Sequence, residues 1–120
     1  EETMKGLKQT LALLFALALT AGAAQAASFE ETQALAQKGD VNAQRELGGI
    51  YEEGKGVPRS YAKAAEWYRK AADQGDASSQ FYLGGMYEEG LGVQKNAKIA
   101  KDWYAKSCKN GFEQACKLCQ

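Results

Sequence analysis

The chain has 120 residues with fifteen basic and fifteen acidic side chains, so no net charge draws it toward nucleic acid or an anionic membrane. It contains no histidine. That removes Ser-His and Cys-His nucleophilic pairs, HExxH zinc sites and the commonest neutral-pH acid–base group. A single proline, with abundant Ala, Lys, Glu and Gln, favours helix over strand.

In chain order, the first element is a targeting segment over 4–26. Lys5 and Lys8 precede the apolar run LALLFALAL (Leu11 to Leu19), and Ala24-Gln25-Ala26 supplies small residues at the spacing of a cleavage site. Cleavage is expected after Ala26, which leaves 27–120 as one small helical domain in a periplasmic or secreted location. The run is shorter than the roughly 20 residues a bilayer span needs, so no stable membrane span is expected after cleavage. The three residues before Met4 fit no part of such a signal. Ser28 with Glu31 has the pattern of a capping box for a leading helix.

Beyond Lys38 the chain repeats itself. GDVNAQRELGGIYEEGKGVPRSYAKAAEWYRKAADQ (39–74) aligns without a gap on GDASSQFYLGGMYEEGLGVQKNAKIAKDWYAKSCKN (75–110), a period of 36 residues with sixteen identities. A third copy begins at Gly111 and covers only 111–120, while 28–38 resembles the second half of a unit. Repetition at this period reads as an all-α solenoid of antiparallel helix pairs, two full repeats with partial units at both ends. Asp40 and Asp76 are expected to cap first helices that stop at Gly54 and Gly90, and Ser60 and Asn96 to cap second helices ending near Gln74 and Asn110. Ala43, Leu47, Ile50 and Tyr51 form one apolar stripe, and Ala64, Trp67, Tyr68 and Ala71 another. Trp67→Ala or Trp103→Ala is expected to cost roughly 3 to 5 kcal/mol.

Two motifs inside the first repeat invite a chemical reading. Gly49, Gly54 and Lys55 stand at the G-x-x-x-x-G-K spacing of a phosphate loop, but Gly56 replaces the Ser or Thr that would hold magnesium. The second repeat has Leu91 in place of Lys55, and a phosphate loop needs a strand before it. The glycines therefore read as helix-packing and turn residues, with Gly49 and Gly85 left unexplained. Ser60 and Lys63 match S-x-x-K, yet Ser60 aligns with Asn96, Lys63 aligns with Ile99, and neither S-D-N nor K-T-G occurs. No catalytic, cofactor-binding or metal-binding residue is assigned, and no cofactor is expected.

The string A-x-x-x-L-G-x-x-Y-x-x-G-x-G-V followed by K-A-x-x-W-Y-x-K-A-A-x-x-G resembles that of Sel1-like repeats, relatives of the tetratricopeptide repeat. The first copy carries it from Ala43 through Leu47, Gly48, Tyr51, Gly54, Gly56, Trp67 and Tyr68 to Gly75. The second keeps most of it and departs at Ser79, Ile99, Ser107 and Cys108. The resemblance implies a right-handed α/α superhelix that serves as a scaffold for protein or peptide partners, in the bacterial cell envelope if the signal is used. It does not imply catalysis in general, although some cysteine-rich relatives are associated with penicillin binding. That keeps a weak penicillin-interacting hydrolase through Ser60 and Lys63 as an alternative.

The cysteine-rich branch of that family carries pairs with seven residues between them, joining one unit's second helix to the next unit's first. Cys108 and Cys116 resemble that pair, and the resemblance implies a disulfide between them. Other readings stay open: a C-x-x-C redox pair of Cys116 and Cys119, or a zinc site that, with no histidine, would have to recruit its fourth ligand as a carboxylate such as Glu113 or from a second chain. Cys119 aligns with Leu47 and Leu83, so it is either a small apolar filler or a partner for an intermolecular bond. For binding, the solvent-facing side of the first helices offers Asn42, Arg45, Gly49, Glu52 and Glu53, and then Ser78, Phe81, Gly85, Glu88 and Glu89. The glutamates favour a basic or neutral peptide, and Phe81 is the expected aromatic anchor. The open repeat ends leave apolar surface that could support a homodimer.

Overall fold

The structure is a computed structural model that describes residues 28–120. The chain divides into two compact units, 1–31 and 32–120. Of the first, only 28–31 are described, and they are helical; the targeting segment lies outside the described residues. The second unit is the repeat array.

A helix covers 28–37 (α1). It is followed by α2 (Val41–Glu53), α3 (Tyr61–Asp73), α4 (Ala77–Glu89), α5 (Ala97–Lys109) and the single turn α6 (Glu113–Cys116). There is no strand among the described residues. The start of this helix, where the sequence places a capping box of Ser28 and Glu31, lies outside the described residues. The other punctuation acts where the sequence places it. Asp40 accepts from the Ala43 amide at 2.8 Å and Asp76 from the Ser79 amide at 3.0 Å. Ser60 and Asn96 cap α3 and α5 in the same way. Gly54 and Gly90 close α2 and α4 in the left-handed region, at φ 71° and 74°, where a β-carbon would be strained.

Each helix pair is brought together by a tyrosine lying on a glycine. A β-carbon at Gly48 would fall 2.6 Å from the Tyr68 ring, and one at Gly84 would fall 2.7 Å from that of Tyr104. Around these contacts Leu47, Ala64, Ala71, Leu83 and Ala100 are almost completely buried. The two tryptophans are not equivalent: Trp103 is 7% exposed, whereas Trp67 is only half-buried beneath Lys70. The stability expected of a buried tryptophan therefore belongs to Trp103.

Consecutive units are joined by a recurring polar seam. Gln44 donates to the carbonyl of Ala36 at 3.0 Å, and Gln80 donates to the carbonyl of Ala72 at 3.0 Å. Both glutamines are buried, so these bonds also satisfy groups that would otherwise be costly to desolvate. From the next second helix, Gln74 donates to Gln44 and Asn110 donates to Gln80. At the third seam the same two positions are Cys108 and Cys116, which form a disulfide across a Cα–Cα distance of 4.8 Å. A covalent bond thus stands where a glutamine amide stands twice before. Ser107 and Ser79, both buried, donate to the Ala77 carbonyl and to Asp76, and no buried side-chain N or O lacks a partner among the described residues.

Candidate interaction surface

The side chains of the first helices that the sequence presents to solvent are largely engaged by their own neighbours. Arg45 pairs with Asp76 of the next unit at 2.6 Å and donates to Asn42 at 3.0 Å. One period later these positions are Phe81 and Phe112, whose rings pack at 4.7 Å between centroids. An ion pair in one junction is an aromatic pair in the next. Phe81 also touches Tyr104 and Tyr82, which makes it half-buried and part of a ring cluster rather than a free anchor. In Phe112 that cluster takes the cap position of α6, which has no side-chain cap.

The glutamates divide in the same way. Tyr68 donates its hydroxyl to Glu52 at 2.6 Å and Tyr104 donates to Glu88 at 2.5 Å. Burial first, and the adjoining carboxylate second, push both phenols well above their ordinary range, so both stay protonated donors. Glu53 pairs with Lys55 at 3.0 Å. Glu89 is exposed, and Ser78 is half-buried in the first turn of α4. Gly49 and Gly85 lie over the tyrosine hydroxyls: a β-carbon at either would meet only that oxygen, at 3.7 Å or 3.6 Å, which is ordinary contact.

What these residues bring together is a groove between the end of α2 and the face of α4. Glu52, Phe81, Tyr82, Gly85, Met86, Glu89 and Leu91 line it, with a volume of about 160 Å³. Its walls are aromatic and aliphatic, and its rim is carboxylate. Tyr82, Met86 and Leu91 are members that sequence reasoning missed. Tyr82 replaces Glu46 of the first repeat and stays 40% exposed while its ring packs 5.2 Å from that of Tyr68. That polar-to-aromatic change between aligned copies was the signal for it. A second depression of about 210 Å³ lies between α3 and the loop after α4, with Arg69, Glu66, Gly92 and Val93 on its lining. Its charges are of both signs, and Arg69 already pairs with Asp73.

The motifs that invited chemistry are otherwise employed. Gly49 is inside α2, Gly54 ends it, and Lys55 holds Glu53, so the glycine–lysine string forms no phosphate cradle. Ser60 accepts from the Lys63 amide at 3.2 Å, while the Lys63 ammonium sits 5.3 Å from the Tyr51 ring centre. The Cys116 sulfur is bonded to Cys108, so Cys116 and Cys119 are not a dithiol; Cys119 is half-buried beside the Tyr104 cluster and is the free cysteine. No helix among the described residues is long and apolar enough to cross a membrane.

Known proteins agree with this architecture. The family model for the Sel1 repeat matches residues 41–76 and 77–118. A Sel1 repeat protein from Oxalobacter formigenes is 37% identical with a TM-score of 0.71, over 72% of this chain and 36% of that one. A protective antigen of uropathogenic Escherichia coli strains, displaying an SLR fold, is 43% identical with a TM-score of 0.71, over 73% of this chain and 19% of that one. Cysteine rich protein B of Helicobacter pylori is 36% identical with a TM-score of 0.73, over 75% of this chain and 68% of that one. The chain therefore spans about a third and a fifth of the length of the first two. No curated protein matches it. With both units matched and the Gly–Tyr contacts that pair their helices repeated at one period, the chain belongs to the Sel1-repeat family.

Proposed function

We propose that the protein is an exported scaffold that binds a protein or peptide along its first helices in the bacterial cell envelope. Sel1 repeats as a family suggest an interaction scaffold rather than an enzyme. The observation that carries the reading here is the groove on α2 and α4, where Tyr82 and Leu91 offer apolar contact over the buried Met86, beside Glu52 and Glu89. An aromatic and aliphatic floor with a few placed polar groups is the usual make-up of a recognition site. The targeting pattern over 4–26 and a disulfide in the folded domain both fit an oxidising compartment.

Panning the purified protein against a displayed random-peptide library tests the binding site. Enriched peptides should lose affinity by roughly tenfold or more for Tyr82→Ala and Gly85→Arg, which remove the wall and fill the floor. Enrichment unaffected by both substitutions, or no enrichment, would refute it. Intact mass of the protein recovered from a bacterial host tests export: a chain beginning at Ala27 with one disulfide is expected, and a chain that retains 4–26 with reduced thiols would count against it.

A further inference from the structure

The charges of the array are sorted by helix. Glu46, Glu52, Glu53, Glu88 and Glu89 on α2 and α4 face only Arg45 in opposition, whereas α3 and α5 carry seven Lys and Arg against Glu66, Asp73 and Asp102. A chain without net charge therefore presents negative first helices and positive second helices. Four of the five glutamates stand in the last turns of α2 and α4, neither of which has a basic residue there. This is the negative end of the helix dipole, where a carboxylate is unfavourable and a cation is favoured. Glu52 and Glu88 each give one oxygen to a tyrosine and Glu53 answers Lys55. Glu89, on the rim of the groove, makes no hydrogen bond or ion pair among the described residues.

Gly85 adds an independent observation. A glycine inside a helix lowers its stability relative to alanine, and packing does not require this one, because a β-carbon would meet nothing nearer than the Tyr104 hydroxyl at 3.6 Å. Bare backbone of that kind suits close approach by a ligand. Resting on the scaffold reading above, we propose that the groove takes a lysine or arginine side chain of a peptide partner. The aliphatic stem lies on Phe81 and Tyr82 beside Gly85, and the cation faces Glu89 and the Glu52 oxygen that Tyr68 leaves unused. Aromatic faces reinforce a cation, and the chain already seats Lys70 at 4.3 Å and Lys106 at 4.5 Å from its tryptophan ring centres. The positive second helices steer a cationic peptide toward this face.

The test uses the purified full chain and paired peptide libraries that differ only at one central residue, lysine or its uncharged isostere norleucine. Lysine members are expected to bind roughly tenfold more tightly than their twins. The preference should shrink between about 50 and 300 mM salt. It should fall severalfold in Glu89→Gln, which leaves only the Glu52 oxygen, and persist in Glu53→Gln, whose carboxylate serves Lys55. Glu89→Gln should melt no lower than the parent, because it removes a charge from the unfavourable helix end. Norleucine twins that bind equally well would overturn the cation assignment and leave the scaffold reading standing, as would a lysine preference undiminished in Glu89→Gln. No binding to either library would remove both.

Discussion

Replacing the disulfide seam with the polar seam of the upstream units gives a quantitative test of how the repeats are held together. Cys108 and Cys116 close a loop between residues eight apart, which loop-closure entropy values at about 2.5 kcal/mol. In a Cys119→Ala background, Cys108→Ala with Cys116→Ala should lose about that amount. Cys108→Ala with Cys116→Gln rebuilds the pair seen at Ala36–Gln44 and Ala72–Gln80, where the amide reaches a carbonyl at 3.0 Å. One such bond returns about 1 kcal/mol, so the net loss should fall to about 1.5 kcal/mol. At about 4 to 8 °C per kcal/mol for a domain of this size, the alanine pair should melt roughly 10 to 20 °C below the parent. The glutamine variant should recover roughly 4 to 8 °C of that. Urea and thermal unfolding followed by helical circular dichroism would measure all three proteins. A glutamine variant no more stable than the alanine pair would show that the third seam does not follow the geometry of the first two.

Adjacent glycines should respond in opposite directions. Gly48→Ala drives a β-carbon to 2.6 Å from the Tyr68 ring and should destabilise by roughly 1 to 3 kcal/mol, whereas Gly49→Ala meets only a 3.7 Å contact and should stabilise by up to about 1 kcal/mol in urea unfolding. Trp103→Ala should cost roughly 3 to 5 kcal/mol and Trp67→Ala clearly less, because only Trp103 is buried; equal losses in the same assay would contradict that ranking. The Tyr68 and Tyr104 hydroxyls hold their protons more tightly in the folded chain than in the unfolded one, where the value is near 10.0. Their contribution should be complete below about pH 10 and decline as pH rises beyond it, so urea midpoints should fall there, and less steeply in a Tyr68→Phe, Tyr104→Phe variant.

The helices are legible in the sequence because their ends are written in residues with local work to do. Asp40, Asp76, Ser60 and Asn96 bond amides three residues ahead, and Gly54 and Gly90 adopt a conformation other residues resist. Such signals need no knowledge of tertiary structure. The binding face is less legible, because helical periodicity marks which side chains point outward but not which of them meet the next unit. Arg45, Glu52, Phe81 and Glu88 read as exposed, yet each has a partner that lies 16 or 31 residues away. The aligned rows hold the missing signal as paired changes. Arg45 and Asp76 become Phe81 and Phe112 together, just as Ala72 and Gln80 become Cys108 and Cys116 together. Tyr82, Met86 and Leu91 enter the groove through the meeting of two units, which periodicity within one helix does not encode.

The seam between units also decides how such an array can grow. Suppose residues 39–74 were duplicated in the gene. The new boundary would set Ala72 against a second Gln44 and Arg45 against a second Asp40, the counterparts of pairs the folded chain already makes. Duplicating 75–110 would instead set Cys108 against Gln80 and Phe81 against Asp76, leaving a stranded thiol and a ring on a carboxylate. The first unit can be copied silently, whereas the second carries marks of its position, so lengthening by tandem duplication is open on one side of the cysteine seam and obstructed at it.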